Sequence, residues 1–125
     1  MVNGQWLIAK KTMENTRQEK IAKQIQRDIA EIFQRDIAES LRGTLVTVTA
    51  VRVSPDLGYA KIYVSVFPFD KAQATLEVIE QQNRAIRGAL GRRMRNQVKS
   101  IPELQFFIDD SLEYIENIDS LLKEE

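Results

Sequence analysis

The sequence contains no cysteine and no histidine, and it has only three prolines, five glycines and one tryptophan. Without cysteine the chain can form neither a disulfide framework nor a thiolate metal site. Without histidine it lacks the commonest neutral metal ligand and the commonest general base at neutral pH. No nucleophile paired with a base, nucleotide-binding glycine loop or metal cluster is recognisable either. The sequence therefore predicts a protein that is not an enzyme and that uses no cofactor and no metal.

Long apolar runs are missing as well. No stretch approaches the roughly 20 apolar residues that span a bilayer, and the first residues lack the basic-then-apolar plan of a secretory signal. We therefore expect a cytoplasmic monomer with no membrane partner and no small-molecule substrate. With 125 residues, of which 43% are apolar and 29% charged, the chain can build one compact core.

The formal net charge is zero, but the charges are segregated along the chain. From Arg84 to Pro102 there are six basic residues and no acidic one, whereas from Glu103 to the end there are eight acidic residues and the single base Lys123. An average of zero conceals this separation. A neutral protein of this kind can still present a cationic face to a nucleic acid.

The first half of the chain predicts one helix followed by two strands. Apolar residues recur at three-and-four spacing over residues 14–41, which indicates a long amphipathic helix, and Gly43 suits its C-terminal cap. Two β-branched runs, 45–53 and 59–67, flank the turn residues 54–58. Strands joined this closely form an antiparallel hairpin, and the alternation on the second strand indicates a sheet that is covered on one side only.

The second half predicts another helix and a last strand. Helical spacing continues from Leu76 to Met94, interrupted by Gly88 and Gly91, and an apolar run of strand length covers residues 104–108. The predicted fold is α+β, KH type II-like, with the order α-β-β-α(kinked)-β. Its three-stranded sheet carries the helices on one face.

Four blocks of the sequence resemble the ribosome-binding factor A family. VSPDLGYAKIYVSVF at 53–67 resembles its hairpin signature, and PELQFFIDDSLE at 102–113 resembles its last strand and exit. Weaker similarities lie in TRQEKIAKQIQRDIAEIF at 16–33 and IRGALGRRMRNQV at 86–98. The resemblance implies a KH-like assembly factor that binds the immature small (30S) ribosomal subunit and its rRNA, assists maturation and rRNA processing, and leaves as maturation finishes.

Two other functions remain open at this point. A general KH module for single-stranded RNA would bind sequence-selectively and independently of ribosomal particles. A protein interaction module would use the acidic end of the chain, and its binding would survive removal of rRNA.

The position of the helix kink is a departure from the family pattern. The family replaces the GxxG loop of RNA-binding KH domains with a kink marked by Ala-x-Gly, but Gln82-Asn83-Arg84 stands at the aligned position here. The Ala-x-Gly of this chain is Ala89-Leu90-Gly91, which overlaps a literal GxxG that starts at Gly88. We predict the kink at Gly88, Ala89 and Gly91. A phosphate-gripping GxxG loop and an incidental pair of glycines are the alternatives.

The predicted rRNA site lies on the basic segment of the second helical region. A rotation of 100° per residue brings four of its cations within roughly 80° of one another, opposite Leu90, and places two more at the borders of the apolar face. A merely solvated helix tends to pair its cations with anions four residues away, and this segment has none. In the first helix Glu19, Asp28 and Glu31 are interleaved with the cations, so a solvated face is an equal alternative there. The predicted contact residues are Arg84, Arg87, Arg92, Arg93, Arg95 and Lys99 in the second region and Lys20, Lys23 and Arg27 in the first helix.

Two smaller features have structural explanations that we favour over functional ones. Tyr59, Tyr63 and Phe67 share one strand, where they either close the hairpin or form a stacking platform for bases. The pair Asp109-Asp110 predicts a turn and an N-cap before Ser111, because adjacent side chains of a strand point to opposite faces and cannot share a metal.

The chain divides into three parts on these patterns. We predict a flexible leader over residues 1–13, a KH-like rRNA-binding domain over 14–110, and an acidic tail or short helix over 111–125. Leu112, Ile115, Ile118 and Leu122 give this last part an amphipathic spacing.

Overall fold

In the computed structural model, which describes residues 16–111, helices and strands follow one another in the predicted order. The elements are α1 (Thr16–Arg35), a 3₁₀ turn (Glu39–Leu41), β1 (Leu45–Val53), β2 (Tyr59–Phe67), a second 3₁₀ turn (Phe69–Lys71), α2 (Ala72–Gln81), α3 (Asn83–Met94) and β3 (Glu103–Ile108). Both hairpin strands begin and end at the predicted residues. The predicted leader and most of the predicted tail lie outside the described residues.

The three strands form a mixed sheet with β2 in the centre. β1 pairs antiparallel with β2, from Leu45 opposite Phe67 to Val53 opposite Ala60, with a register shift at Thr49. β3 pairs with the other edge of β2 and runs parallel to it. A parallel pair needs a long crossover, which α2 and α3 supply. This arrangement is the predicted KH type II-like fold.

The core lies between the helices and one face of the sheet. Alternation on β2 directs Ile62 and Val64 toward the helices, and both side chains are fully buried. The apolar stripe of α1, represented by Ile25 and Ile29, packs against them, as does Leu90 of α3. Burying each of these side chains stabilises the fold by about 1.5–3 kcal/mol. The sheet is thus covered on one side, as the alternation predicts.

The first helix ends earlier than its apolar pattern predicts. The pattern continues to Leu41, but α1 stops at Arg35 and a turn follows, in which the carbonyl oxygen of Ile32 accepts hydrogen bonds from the amides of Asp36 (2.8 Å) and Ile37 (3.2 Å). Ile37 and Leu41 are nevertheless buried, so the chain keeps the apolar spacing after it leaves the helix.

The hairpin loop is a tightly hydrogen-bonded turn, as its sequence predicts. Asp56 Oδ1 accepts from the Ser54 hydroxyl (2.7 Å) and from the amide of Gly58 (3.0 Å). These two bonds, with that of Ser54 the larger effect, lower the pKa of the Asp56 carboxyl. Leu57 takes a positive φ of 60°, a conformation that L residues rarely adopt, and its side chain packs against the core. Asp56 is therefore a turn residue.

The predicted kink at Gly88, Ala89 and Gly91 is wrong, because α3 continues through all three residues. The break lies six residues earlier, where Gln82 alone separates α2 from α3 with φ −93° and ψ 5°. The side chain of Gln82 donates to the Ser40 hydroxyl (2.8 Å), and that of Asn83 donates to the carbonyl of Leu104 (3.1 Å). Contacts with distant elements, and no local glycine, thus hold the bend at Gln82.

A matched pair of glycine substitutions tests this correction. A Cβ would meet only a distant, flexible side-chain end at Gly43 and at Gly88, but only Gly43 has a positive φ, of 87°. Gly88→Ala should raise the free energy of unfolding by about 0.4–1 kcal/mol, since it lies inside a helix. Gly43→Ala should lower it by about 1–2 kcal/mol. Urea unfolding measures both. Destabilisation by Gly88→Ala would show that this glycine does bend the chain.

Candidate nucleic-acid interface

The outer side of α3 carries arginines that are free of acidic partners within residues 16–111. Arg84, Arg92 and Arg95 are all exposed, while Leu90 on the opposite side of the same helix is fully buried. Arg95 follows the last residue of α3 but keeps helical angles, φ −60° and ψ −24°, so it stays in line with the others. We call these three residues the α3 basic face. The three guanidinium groups share one solvent-facing surface, where each can donate two hydrogen bonds to a phosphate group.

Lys99 does not belong to this helical surface. The helical rotation that groups it with the arginines requires α3 to extend to Lys99, but α3 ends at Met94. Lys99 is exposed in the connection between α3 and β3, so its position is set by that connection. Val98, beside it, is buried.

Arg93 is committed to a contact inside the protein. Its guanidinium lies 3.0 Å from a carboxylate oxygen of Glu31 and 3.6 Å from one of Asp28, both on α1. The hydrogen bond from Arg93 and its charge lower the pKa of Glu31, and the hydrogen bond to Glu31 raises the pKa of Arg93. Asp28 is buried and also accepts a hydrogen bond from Gln24 (2.8 Å). The assignment of Arg93 to the rRNA site therefore conflicts with this ion pair, which joins α1 to α3.

Two backbone carbonyls hold the side chain of Arg87, which lies at the other border of the apolar face of α3. Its Nε donates to the carbonyl of Pro102 (3.2 Å) and its Nη2 donates to the carbonyl of Ile101 (2.7 Å). Neither partner is charged, so these bonds leave the positive charge of Arg87 unbalanced, and the residue as a whole is exposed. The two bonds fix the guanidinium beside the start of β3 and reduce the rotamer entropy that a phosphate contact would cost.

A shallow groove of about 670 Å³ lies next to the bend between α2 and α3. Asn83, Arg84 and Arg87 line it from the helix side, and Ile101 lines it from the connection to β3. Glu80 also contributes to the lining, so the groove is not uniformly cationic. It extends the α3 basic face toward the edge of the sheet.

The basic residues of the first helix lie on a separate, mixed surface. Lys20, Lys23 and Arg27 are exposed on α1, and the guanidinium of Arg27 donates to the side chain of Gln24 (3.0 Å). Lys20 lines a groove together with Gln97, which follows α3. The fold thus brings Lys20 beside the end of α3, together with Arg17, which lines the same groove.

The aromatic residues of β2 lie on the other side of the domain. Tyr59, Tyr63 and Phe67 point away from the helices, and Tyr63 stacks on Phe107 of β3 with ring centroids 5.4 Å apart. Phe107 of the protein itself thus already stacks against the ring of Tyr63. Tyr59 lies at the edge of this face, where it lines a groove together with Arg87 of α3.

Asp109 fulfils the predicted turn role. Its Oδ1 accepts from the amide (3.0 Å) and the hydroxyl (2.6 Å) of Ser111, and its Oδ2 accepts from the hydroxyl of Thr49 (2.7 Å). These bonds, with that of the Ser111 hydroxyl the largest effect, lower the pKa of Asp109. Across residues 16–111 there is no cluster of acidic side chains able to hold a metal ion.

The sequence patterns do not identify the residues that fix the site. Gln82 and Asn83 anchor the bend, but amide side chains carry no recognisable signal when their partners are more than 20 residues away. Asp28 offered a better clue, because it lies beside Ile25 and Ile29 at the border of the apolar stripe. A carboxylate so placed becomes buried and requires a cation.

The model of the family described as ribosome-binding factor A matches residues 17–122. A ribosome-binding factor A from Flavobacterium johnsoniae is 42% identical over 111 residues, which cover 88% of this chain and 85% of the relative. The chain belongs to the ribosome-binding factor A family.

Solved structures of ribosome-binding factor A share the fold. The crystal structure from Thermus thermophilus is 28% identical with a TM-score of 0.63, and the match covers 73% of this chain and 94% of that one. A homology model of the Thermus thermophilus factor, fitted into the cryo-EM map of a 30S complex, is 31% identical with a TM-score of 0.56, covering 70% and 90%. Among residues 16–111 no helix has the length and apolarity to cross a membrane.

Proposed function

We propose that this protein binds the immature small ribosomal subunit and assists its maturation and the processing of its rRNA. It acts by binding, without catalysing a reaction, and it works in the cytoplasm. The α3 basic face, with Arg87 beside it and Lys20 and Lys99 at its end, is the surface that meets rRNA. Family membership and the 30S complex of a Thermus thermophilus relative support the partner.

One observation supports the proposed site: the arginines of α3 fall into two groups, one with ion-pair partners and one without them within residues 16–111. Arg93 is neutralised by Glu31 and Asp28 inside the fold, whereas Arg84, Arg92 and Arg95 are exposed and have no ion-pair partner within residues 16–111. Like charges on one helix face repel one another, and no anion of that helix offsets them. Phosphate groups supply the missing negative charge.

The mechanism is recognition of rRNA shape and charge. The packing of α3 on the core and the ion pair to α1 hold the helix rigid, so its arginines are presented in fixed relative positions. Binding neutralises several phosphates and releases their condensed counterions, which supplies most of the affinity. The anchored bend at Gln82 adds a groove beside the face that can accept a protruding backbone segment or base. A later factor then displaces the protein as the subunit matures.

Sedimentation with ribosomal particles at increasing salt tests this proposal. In a sucrose gradient of cell extract the protein should migrate with free small subunits and not with whole ribosomes. The logarithm of the binding constant should fall linearly with the logarithm of the salt concentration, by about 0.7–0.9 for each phosphate that is neutralised. A flat salt response contradicts the charged face. Retained binding after removal of rRNA, or equal binding to free single-stranded RNA, indicates one of the two other functions.

A further inference from the structure

The face of the sheet that points away from the helices carries several exposed side chains, although Ser65 in its middle is buried. Alternation places Tyr59, Tyr63 and Phe67 of β2 on this face, with Leu45 of β1 and Phe107 of β3. None of the five belongs to the cluster of core residues. We call this surface, formed by the outward side chains of β1, β2 and β3, the open sheet face.

The open sheet face is strongly apolar at one end. Leu45 and Phe67 are directly opposed in the register of β1 and β2, and they are 66% and 55% exposed. Phe69 packs edge-on against Phe67, with ring centroids 5.5 Å apart. Single exposed apolar residues are ordinary, but a contiguous cluster of aliphatic and aromatic side chains marks an interaction surface.

The same face carries two cations side by side. Arg52 of β1 and Lys61 of β2 are opposed in the register, and both are exposed. Like charges directly opposite each other on a sheet repel. The two cations make this part of the face positive, so it suits an occupant that is apolar along one side and acidic along its flanks.

The chain itself supplies such an occupant immediately after β3. Asp109 lies on the open sheet face, where it bonds to Thr49, and its hydrogen bonds to Ser111 direct the chain onward from that edge. Residues 112–125 follow directly, with Leu112, Ile115, Ile118 and Leu122 at helical spacing and acidic residues among them. Fourteen helical residues span about 21 Å. A strand of nine residues spans about 30 Å, so the segment fits along the face.

We propose that residues 112–125 dock as an amphipathic helix on the open sheet face. The four apolar residues then lie against the exposed Leu45 and Phe67 and the half-buried Phe107, and the acids lie beside Arg52 and Lys61. This docking covers the apolar surface of the sheet and keeps the acidic segment on the side of the domain opposite the α3 basic face. The inference does not depend on the proposed ribosomal function.

Paramagnetic relaxation in the full chain tests the docking. Because the sequence has no cysteine, Asn117→Cys provides a single site for a nitroxide spin label. On a helix Asn117 lies on the side opposite Ile115 and Ile118, so the label does not enter the contact. The amide signals of Thr47 and Lys61 should lose most of their intensity, while that of Ala85 on α3 should keep it.

Three results would overturn the proposal. Intensity lost mainly from α3 amides would place the segment on the basic face, and intensity lost nowhere would show an undocked segment. In a third experiment an isotope-labelled chain without a spin label is mixed with a spin-labelled chain that carries no isotope. Loss of sheet signals in this mixture would show that a second copy of the protein occupies the face.

Two variants of the spin-labelled chain test the apolar contact. Ile118→Asp should restore the intensity of the sheet signals, whereas Glu113→Gln, on the polar side of the helix, should not. Unchanged chemical shifts of α3 show that each variant is folded.

Discussion

Replacing both Arg92 and Arg95 by alanine is expected to weaken binding to small subunits and to leave the fold intact. Both side chains are exposed and make no ion pair within residues 16–111, so their loss should change the free energy of unfolding by less than about 0.5 kcal/mol. Each lost phosphate contact should reduce the salt slope by about one. Co-sedimentation at several salt concentrations measures the affinity and the slope together.

The matched control is Arg35→Ala with Arg42→Ala. These arginines are also strongly exposed, at 73% and 78% of the side chain, and their removal changes the net charge by the same amount. They lie at the end of α1 and before β1, off the α3 basic face. Equal loss of affinity in the two double variants would mean that rRNA senses only the total charge of the protein. Normal binding by the Arg92 and Arg95 variant would remove this face from the site.

Leu90→Ala is expected to have the opposite effect, on stability first. Leu90 is fully buried beneath the α3 basic face, and deleting a large buried side chain commonly costs about 2–5 kcal/mol because a cavity remains. For a domain of this size the melting temperature should fall by about 8 °C or more. Thermal melts followed by circular dichroism measure it.

Gln73→Ala truncates an exposed side chain of α2, away from both the core and the open sheet face, so it serves as the control. Its effect on the melting temperature should be much smaller. If Leu90→Ala melts like the wild-type protein, the orientation assigned to α3 is wrong, and with it the outward position of Arg92 and Arg95.

The sequence predicted the hairpin more accurately than any other part. Strand alternation from Tyr59 to Phe67 and the turn residues from Ser54 to Gly58 are local signals, and the hydrogen bonds of Asp56 and Ser54 that form the turn are local too. Local signals alone therefore predicted the residues at which these strands begin and end. Local chemistry and the global fold agree here.

The ends of the helices and the bend between α2 and α3 could not be predicted in the same way. Buried residues after α1 and α3, such as Leu41 and Val98, continue the apolar spacing although the helix has stopped, because the following turns return to the same core. Periodicity reports burial and not backbone conformation. The bend at Gln82 depends on Ser40 and Leu104, which are distant in sequence.

The charge pattern predicted a cationic helix but not the role of each arginine. Helical rotation already places Arg87 and Arg93 at the borders of the apolar face and the other four cations opposite Leu90, but it does not reveal which partner each arginine has. Packing against α1 separates Arg93 from the others, since Asp28 is buried and needs a partner. Arg87 differs from the others because it donates to the carbonyls of Ile101 and Pro102. These carbonyls lie near Arg87 only because the chain passes there on its way into β3.

The parallel pairing of β3 with β2 also affects how the domain is completed during synthesis. β3 is the last of the three strands to leave the ribosome, and its partner β2 precedes it by the whole length of α2 and α3. Until β3 has been made, one edge of β2 is unpaired. Phe33 also lacks its contact with Phe106, whose ring centroid lies 6.2 Å from that of Phe33 in the folded protein. Pairings this far apart in sequence form late, because a long loop must close first. The sheet of this small domain therefore closes only after the chain has been made as far as Ile108.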